Sequence, residues 1–288
     1  MAEVIAELGC NHKGSLENAI DSIITASKYC RAHTIKFQKR NVKESLSEEQ
    51  YNAPHPVPEN SYGQTYGEHR EYLEFDLEQH RELKKACQEN GIEYYCSVWD
   101  VTSASEIASL EPKKIKVPSA CNLNFDILSW LCSNYFGEIH ISLGMTTKDE
   151  IAKIVDFFIK NNRNNDLVLY SCTSGYPVDF NDVCLMEIEW LSKAYKSKVK
   201  DIGFSGHHLG IAVDIAAVTL GANFIERHFT LNRTWKGTDH AASLEPDGLR
   251  KLVRDIAAVK LALEYKHKDI LDVELIQRVK FGKEGQYK

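Results

Sequence analysis

Short runs of apolar, β-branched and aromatic residues alternate along this chain with longer stretches in which apolar residues recur every three or four positions. The short runs, at 3–8, 34–38, 93–97, 114–117, 138–142, 167–171, 201–205 and 224–228, predict eight strands. The periodic stretches predict helices over 15–30, 77–90, 104–110, 125–134, 148–161, 183–196, 211–220 and 246–264. Ser15, Thr147 and Asn181 stand where N-caps are needed, and Asn90-Gly91, Leu220-Gly221 and Ala32-His33 mark helix ends or strand entries. Eight strands alternating with helices predict an α/β fold, a closed (β/α)8 TIM barrel forming a single domain. An open doubly wound sheet is the rival, but no GxGxxG follows the first strand.

One stretch breaks the alternation. Residues 40–75 carry Pro54, Pro56 and Pro58, several aromatics and no period. A structureless segment of that length in a compact domain predicts a lid or binding loop. Following strand two, it belongs over the barrel mouth.

Composition narrows the function classes. A length of 288 residues suits one barrel or two ordinary domains. A net charge of −6 favours neither nucleic acid nor an anionic membrane surface, though it leaves room for a local cationic pocket. No apolar run approaches the ~18 residues of a membrane span. Leu8-Gly9-Cys10 has the look of a lipobox, but no basic segment precedes it and Glu3 and Glu7 interrupt its apolar stretch. The eight cysteines form no CxxC pair and have no histidine at zinc-finger spacing. Reduced thiols and a cytoplasmic location are therefore expected.

A barrel of this type places its site at the C-terminal ends of its strands. Polar residues gather at those ends: Glu7 with Asn11 and His12, Lys36 and Gln38, Ser97 with Asp100, Lys116 and Ser119, Ser142, Ser171 with Thr173, Ser174 and Tyr176, Ser205 with His207 and His208, and Glu226 with His228. A lysine in an apolar strand is costly to bury without a partner. Each lysine alone can simply face solvent, but Lys36 and Lys116 together, with serines beside them, suit a phosphate or carboxylate. His207 and His228 end consecutive strands, and two imidazoles there can hold one divalent ion with positions left open. Either histidine can equally be an ordinary hydrogen-bonded residue, as His208, directed at the next helix, is expected to be. Glu226 shares its side of the strand with His228. A polar loop, 235–246, follows the last strand and contains Asp239 and His240; Ser243, Glu245 and Pro246 there can simply start the last helix.

The motifs Ala-Glu-Leu-Gly-Cys-Asn-His-Lys-Gly at 6–14, Ile-Lys-Phe-Gln at 35–38, Ser-Val-Trp-Asp at 97–100, Lys-Val-Pro-Ser-Ala at 116–120, Ser-Leu-Gly-Met at 142–145, Cys-Thr-Ser-Gly-Tyr-Pro at 172–177, Gly-Phe-Ser-Gly-His at 203–207, Ile-Glu-Arg-His-Phe-Thr-Leu at 225–231 and Asp-His-Ala-Ala-Ser-Leu at 239–244 occur in order. Through them the chain resembles the sialic acid (N-acetylneuraminate) synthase family over nearly its whole length. The resemblance implies a TIM barrel that condenses phosphoenolpyruvate with the open-chain aldehyde of a sugar such as N-acetylmannosamine, releasing phosphate. It implies His207 and His228 as ligands of a divalent metal, usually manganese, with magnesium or cobalt as alternatives. It implies Lys36, Ser97, Lys116, Ser119, Ser142 and Ser205 as the phosphoenolpyruvate pocket. Glu7, Gln38, Tyr176, Glu226 and Asp239 fall around the aldehyde and the reacting carbons, with Glu7 the first choice to stabilise charge at C2 or assist the attacking water.

Full-length members carry a small antifreeze-like domain that reaches the dimer partner's sugar site. This chain ends about one helix past the barrel, so a barrel without that domain is expected, with a homodimer or a separate lid protein as partner. The rivals are a phosphoenolpyruvate-dependent synthase of another deoxy-sugar acid, a metal-dependent barrel aldolase, and a non-catalytic sugar-binding scaffold.

Overall fold

A computed structural model describes residues 2–282. Its strands are β1 (Glu3–Glu7), β2 (Thr34–Lys39), β3 (Glu93–Val98), β4 (Lys114–Val117), β5 (Glu138–Ser142), β6 (Leu167–Cys172), β7 (Asp201–Gly206) and β8 (Phe224–His228). They pair in parallel in sequence order, and β1 pairs with β8 to close the barrel. The helices are α1 (Leu16–Ile24), α2 (Val42–Ser45), α3 (Glu48–Asn52), α4 (Tyr66–Leu73), α5 (Leu77–Asn90), α6 (Val101–Ala108), α7 (Phe125–Asn134), α8 (Lys148–Lys160), α9 (Glu187–Tyr195), α10 (Ala212–Thr219), α11 (Pro246–Ala262) and α12 (Asp272–Lys280). Parallel neighbours need a crossover, and a helix supplies it between successive strands.

Strand alternation sorts the side chains into two sets. Outward residues such as Val4, Ile35, Phe37, Ile115, Ile141, Leu169, Phe204 and Ile225 pack under the helices in one large apolar core. Inward residues form a different interior. Ile5, Tyr95, Val168 and Tyr170, with Phe224 against them, make a thin apolar septum. Below it, toward the strand N-termini, lie Glu3, Thr34, Glu93, Lys114 and Glu138; above it lies the mouth. The barrel is filled, as the fold requires, but largely with polar side chains.

Several local expectations are corrected. Residues 40–75 are not structureless: they hold α2, α3, α4 and a 3₁₀ turn at Pro58–Asn60. Capping boxes at Ser47/Gln50 and Thr65/Glu68 start α3 and α4. Gly67 lets Tyr51 approach, since a Cβ there would fall 2.2 Å from the tyrosine ring. The helix expected over 15–30 ends at Ile24 and passes into a π-type turn, Thr25–Tyr29, whose Ser27 and Lys28 donate to the Asn90 carbonyl. Asn181 caps nothing. It sits in a 3₁₀ turn, Cys184 then adopts a left-handed φ of 50° that breaks the helical path, and α9 starts only at Glu187. Helix α6 starts at Val101, earlier than its periodicity indicates, because Asp100 accepts from the Ser103 N–H. Ser15 and Thr147 cap α1 and α8 as expected, and Gly91 ends α5 at φ 70°. All eight cysteines are free thiols, and among the described residues no helix is long and apolar enough to cross a membrane.

Candidate active site

The mouth opens into a cavity of about 410 Å³. Its lining includes every site residue expected from the sequence: Glu7, Lys36, Gln38, Ser97, Lys116, Ser119, Ser142, Tyr176, Ser205, His207, Glu226, His228 and Asp239. The strand register explains the convergence. Glu7 stands beside Lys36 and His228, Gln38 beside Ser97, Ser97 beside Lys116, and Ser205 beside Glu226. Inward parity at one height on successive strands delivers them to one chamber.

At its base two lysines share one carboxylate oxygen. Glu226 Oε1 lies 2.8 Å from Lys36 Nζ and 2.6 Å from Lys116 Nζ, and accepts from Ser205 Oγ at 3.1 Å. Glu226 Oε2 is buried with no hydrogen-bond partner. Lys36 has a second carboxylate, Glu7, at 3.1 Å, whereas Lys116 sits 4.1 Å from the centre of the Tyr170 ring. Burial pulls both lysines down. In Lys36 the Glu226 and Glu7 charges outweigh burial and the pKa rises; in Lys116 burial wins and Lys36 adds repulsion, so its pKa falls to about 8. Burial would raise the Glu226 carboxyl, but Lys116 and Lys36 hold it far below the usual carboxylate range. Burial raises Glu7 against the pull of Lys36, with Glu226 repelling it further.

The cavity has two halves. On the β4–β7 side Ser119, Ser142, Ser205 and Cys172 surround Lys116, and Gly144 N–H donates to Ser119 Oγ at 3.0 Å. A Cβ on Gly144 would lie 2.4 Å from Ser174 Oγ and 2.8 Å from Ser119 Oγ, so only glycine leaves these hydroxyls in place. On the β8–β1–β2 side Gln38 donates to Glu7 at 2.8 Å, and Gly9, at φ 54°, approaches Gln38, Glu7 and Asp239.

Between the halves His207 and His228 face each other at 5.5 Å between ring centres, and Tyr176 packs on both. His207 Nδ1–H donates to the Thr173 carbonyl at 2.9 Å, which leaves Nε2 as the lone-pair nitrogen. Burial, then the neighbouring His228, lowers the His207 pKa to about 3 and keeps the ring neutral. His228 Nδ1 is buried without a hydrogen-bond partner, 4.0 Å from Asp239 Oδ2. A neutral imidazole and an orphaned ring nitrogen fit a divalent ion. Among the described residues no group of three or more His, Cys, Asp or Glu is placed to hold one.

Other polar residues near the strand ends serve the fold. Asn11 donates to the Phe229 carbonyl and Ser243 Oγ, His12 stacks on Phe75, and Asp100 is a helix cap. Thr173 donates to the Asp182 carbonyl, and Ser171 lies outside the cavity lining. His208 joins Arg227 and Asp214 of α10 in a fully buried cluster.

The structure adds lining residues that the sequence reading omits, notably Arg40, Arg70, Trp99 and Met145. Arg40 had a signal: β2 runs to Lys39, so residue 40 continues the inward alternation of Lys36 and Gln38. It pairs with Glu74 at 3.0 Å, donates to Gln38 and stacks on Trp99 at 4.1 Å. Arg70 arrives from α4, and strand logic gave no hint of it.

A parallel (β/α)8 barrel with a lysine–carboxylate base, a ring of serines and a histidine pair gathered at its mouth has the architecture of a barrel enzyme. The chain belongs to the NeuB family, whose model matches residues 23–268. It is 37% identical over 280 residues to the human N-acetylneuraminate-9-phosphate synthase, covering 97% of this chain and 76% of that protein. It is 33% identical over 261 residues to the N,N'-diacetyllegionaminic acid synthase of Campylobacter jejuni, covering 90% and 77%. The sialic acid synthetase of Leptospira borgpetersenii, solved with citrate, superposes with a TM-score of 0.82 at 26% identity, covering 100% of this chain and 93% of that one.

Proposed function

We propose that this protein is a phosphoenolpyruvate-dependent nonulosonic acid synthase, condensing phosphoenolpyruvate with an N-acylated amino aldose of the N-acetylmannosamine kind. The observation that carries the reading is the base of the mouth, where Lys36 and Lys116 crowd one oxygen of Glu226 while serines point hydroxyls into the same space. Lys36 has Glu7 as a second carboxylate, but Lys116 has only its share of one Glu226 oxygen, and an incoming trianion supplies what it lacks.

In this reading the β4–β7 half takes phosphoenolpyruvate. Lys36 and Lys116 bind its charged groups, and Ser97, Ser119, Ser142 and Ser205 fix its orientation. The β8–β1–β2 half takes the aldose, with Gln38, Tyr176 and Asp239 around it. His207 and His228 hold a divalent ion, manganese first, with magnesium or cobalt as alternatives; when bound, it supplies Lewis-acid polarisation of the aldehyde oxygen. The C3 carbon of phosphoenolpyruvate bonds to the aldehyde carbon, whose oxygen takes a proton to become a hydroxyl. Water adds at C2, and Glu7, buried beside Lys36 with a raised pKa, accepts its proton. The new C2 hydroxyl then gives its proton to the departing phosphate as the C2–O bond to phosphate breaks, leaving inorganic phosphate and the keto acid.

The names of the relatives differ on whether the product carries a phosphate, so the family leaves that substituent of the acceptor open. The test is phosphate release from phosphoenolpyruvate with manganese and a panel of acyl-amino hexoses, followed by mass analysis of the keto acid. Phosphate release that depends on the sugar, with a product of summed mass, is expected. No release with any acceptor overturns the assignment.

A further inference from the structure

His207 and His228 are held in different ways. His228 lies within the strand ladder: it pairs with Glu7 of β1, and its carbonyl accepts from the Leu244 N–H at 2.7 Å. His207 lies one residue beyond the ladder. The β7–β8 register ends at Gly206 and Arg227, so no strand pairing ties His207 to β8. On its other flank His207 is tied to the loop after β6, where its ring donates to the Thr173 carbonyl and its own carbonyl accepts from the Val178 N–H at 3.1 Å. Two rings that share one ion need a fixed separation, here 5.5 Å between centres.

The tie to β8 comes from Arg227. Strand alternation turns it outward, away from the chamber that Glu226 and His228 face. Its Nη1 donates to the Gly210 carbonyl at 2.7 Å and its Nη2 to the His208 carbonyl, so the guanidinium grips the backbone just past His207. Asp214 of α10 anchors the same Nη1, which also lies 3.0 Å from His208 Nε2. All three side chains are fully buried, and none lines the cavity. Gly206 makes room for them, since a Cβ there would fall 2.8 Å from His208 Cε1.

Stability does not account for this arrangement. Arg227 Nε, Asp214 Oδ1 and His208 Nδ1 are buried without hydrogen-bond partners. A buried ionic cluster left partly unsatisfied gains little over apolar packing of the same volume. We infer that Arg227, anchored by Asp214, is a positioning residue that sets the approach of His207 to His228 by clamping the backbone that follows His207. The inference rests on the reading of the histidine pair as a metal site and names the group that holds the pair in register.

The probe is manganese alone, titrated into the full chain by calorimetry and followed by its paramagnetic resonance signal, in the wild type, Arg227→Lys and Asp214→Asn. Lysine keeps the charge opposite Asp214 but cannot fork onto two carbonyls. It is expected to weaken manganese binding by about tenfold or more and to alter the line shape of the bound ion, with little change in melting temperature. Asparagine leaves the fork in place but unbalances the guanidinium charge, so it is expected to lower the melting temperature more and manganese affinity by a smaller factor. Phosphate release should show a lower kcat in Arg227→Lys with KM for phosphoenolpyruvate unchanged, because that molecule sits on the lysines. Wild-type affinity and line shape in both folded variants overturn the inference and leave the synthase reading standing. So does an affinity loss in Arg227→Lys no larger than in Asp214→Asn. Should Arg227→Lys not fold, wild-type affinity and line shape in Asp214→Asn overturn it. A wild type that binds manganese no better than His207→Ala overturns the metal reading and the inference with it. A wild type that binds manganese but releases no phosphate with any acceptor overturns the synthase reading alone, since the titrations need no turnover.

Discussion

Strand β4 carries two lysines two residues apart on one face, and they live in opposite circumstances. Lys114, below the septum, meets two carboxylates, Glu3 and Glu93, the latter at 3.0 Å. Around it Lys113 pairs with Glu93 at 2.9 Å, and Lys200 and His140 bracket Glu138 at 3.0 and 3.1 Å. Lys116, above the septum, has one carboxylate oxygen and must share it with Lys36. Lys114 is over-supplied with carboxylate and Lys116 under-supplied, because Glu7 reaches Lys36 and not Lys116. Burial of charge is common to both, so burial alone does not mark a site. What marks it is a buried cation left with only part of a carboxylate.

That contrast can be broken in either direction. Lys116→Met should lower kcat/KM for phosphoenolpyruvate by about 1,000-fold while the melting temperature changes little, because the removed charge was poorly compensated. Steady-state phosphate release and a thermal melt check both halves, and a large loss of stability would dissolve the distinction between the ends. His207→Ala should remove metal-dependent turnover by a comparable factor of about 100 to 1,000 and abolish tight manganese binding in titration calorimetry, with circular dichroism unchanged. Lys114→Met should do the reverse. It strands the partly buried Glu3 and leaves Glu93 with Lys113 alone, and should cost about 2–3 kcal/mol in urea unfolding while the folded fraction keeps its kcat.

The smallest effect is acid titration of the lower cluster. Hydrogen bonding from His140, then from Lys200, outweighs burial and lowers Glu138 from 4.5 to about 2, so its contribution is full above pH 4.5 and lost as pH falls toward 2. Burial lowers His140 from 6.5 to about 4, so an unfolded chain gains a proton there that the native one refuses, and stability also declines from pH 6.5 to 4. Urea midpoints should fall continuously over that span, and Glu138→Gln should flatten the part below pH 4.5, by about 1–2 kcal/mol.

The barrel and its mouth were legible for one physical reason. A parallel strand buried on both faces keeps charged residues only where they have a use or a partner, so Lys36, Lys116 and Glu226 stood out against their apolar neighbours. The same rule did not separate Glu7 from Asn11, His12 or Asp100, because a polar residue at a strand end is equally useful for holding a loop or capping a helix. The 40–75 segment was hardest. Its capping boxes, Ser47/Gln50 and Thr65/Glu68, were readable, but α2 and α3 span four and five residues, too short to show a period. Arg70 was invisible because its position depends on how α4 docks over the mouth, which no local pattern encodes.

The septum of Ile5, Tyr95, Val168 and Tyr170 has one more consequence. It seals the barrel axis, so the chamber is a cul-de-sac with a single door, and traffic through it is last in, first out. On the proposed assignment, the molecule seated on the lysines must enter before the sugar closes the way behind it. The phosphate left at the bottom must wait until the new sugar acid has cleared the door.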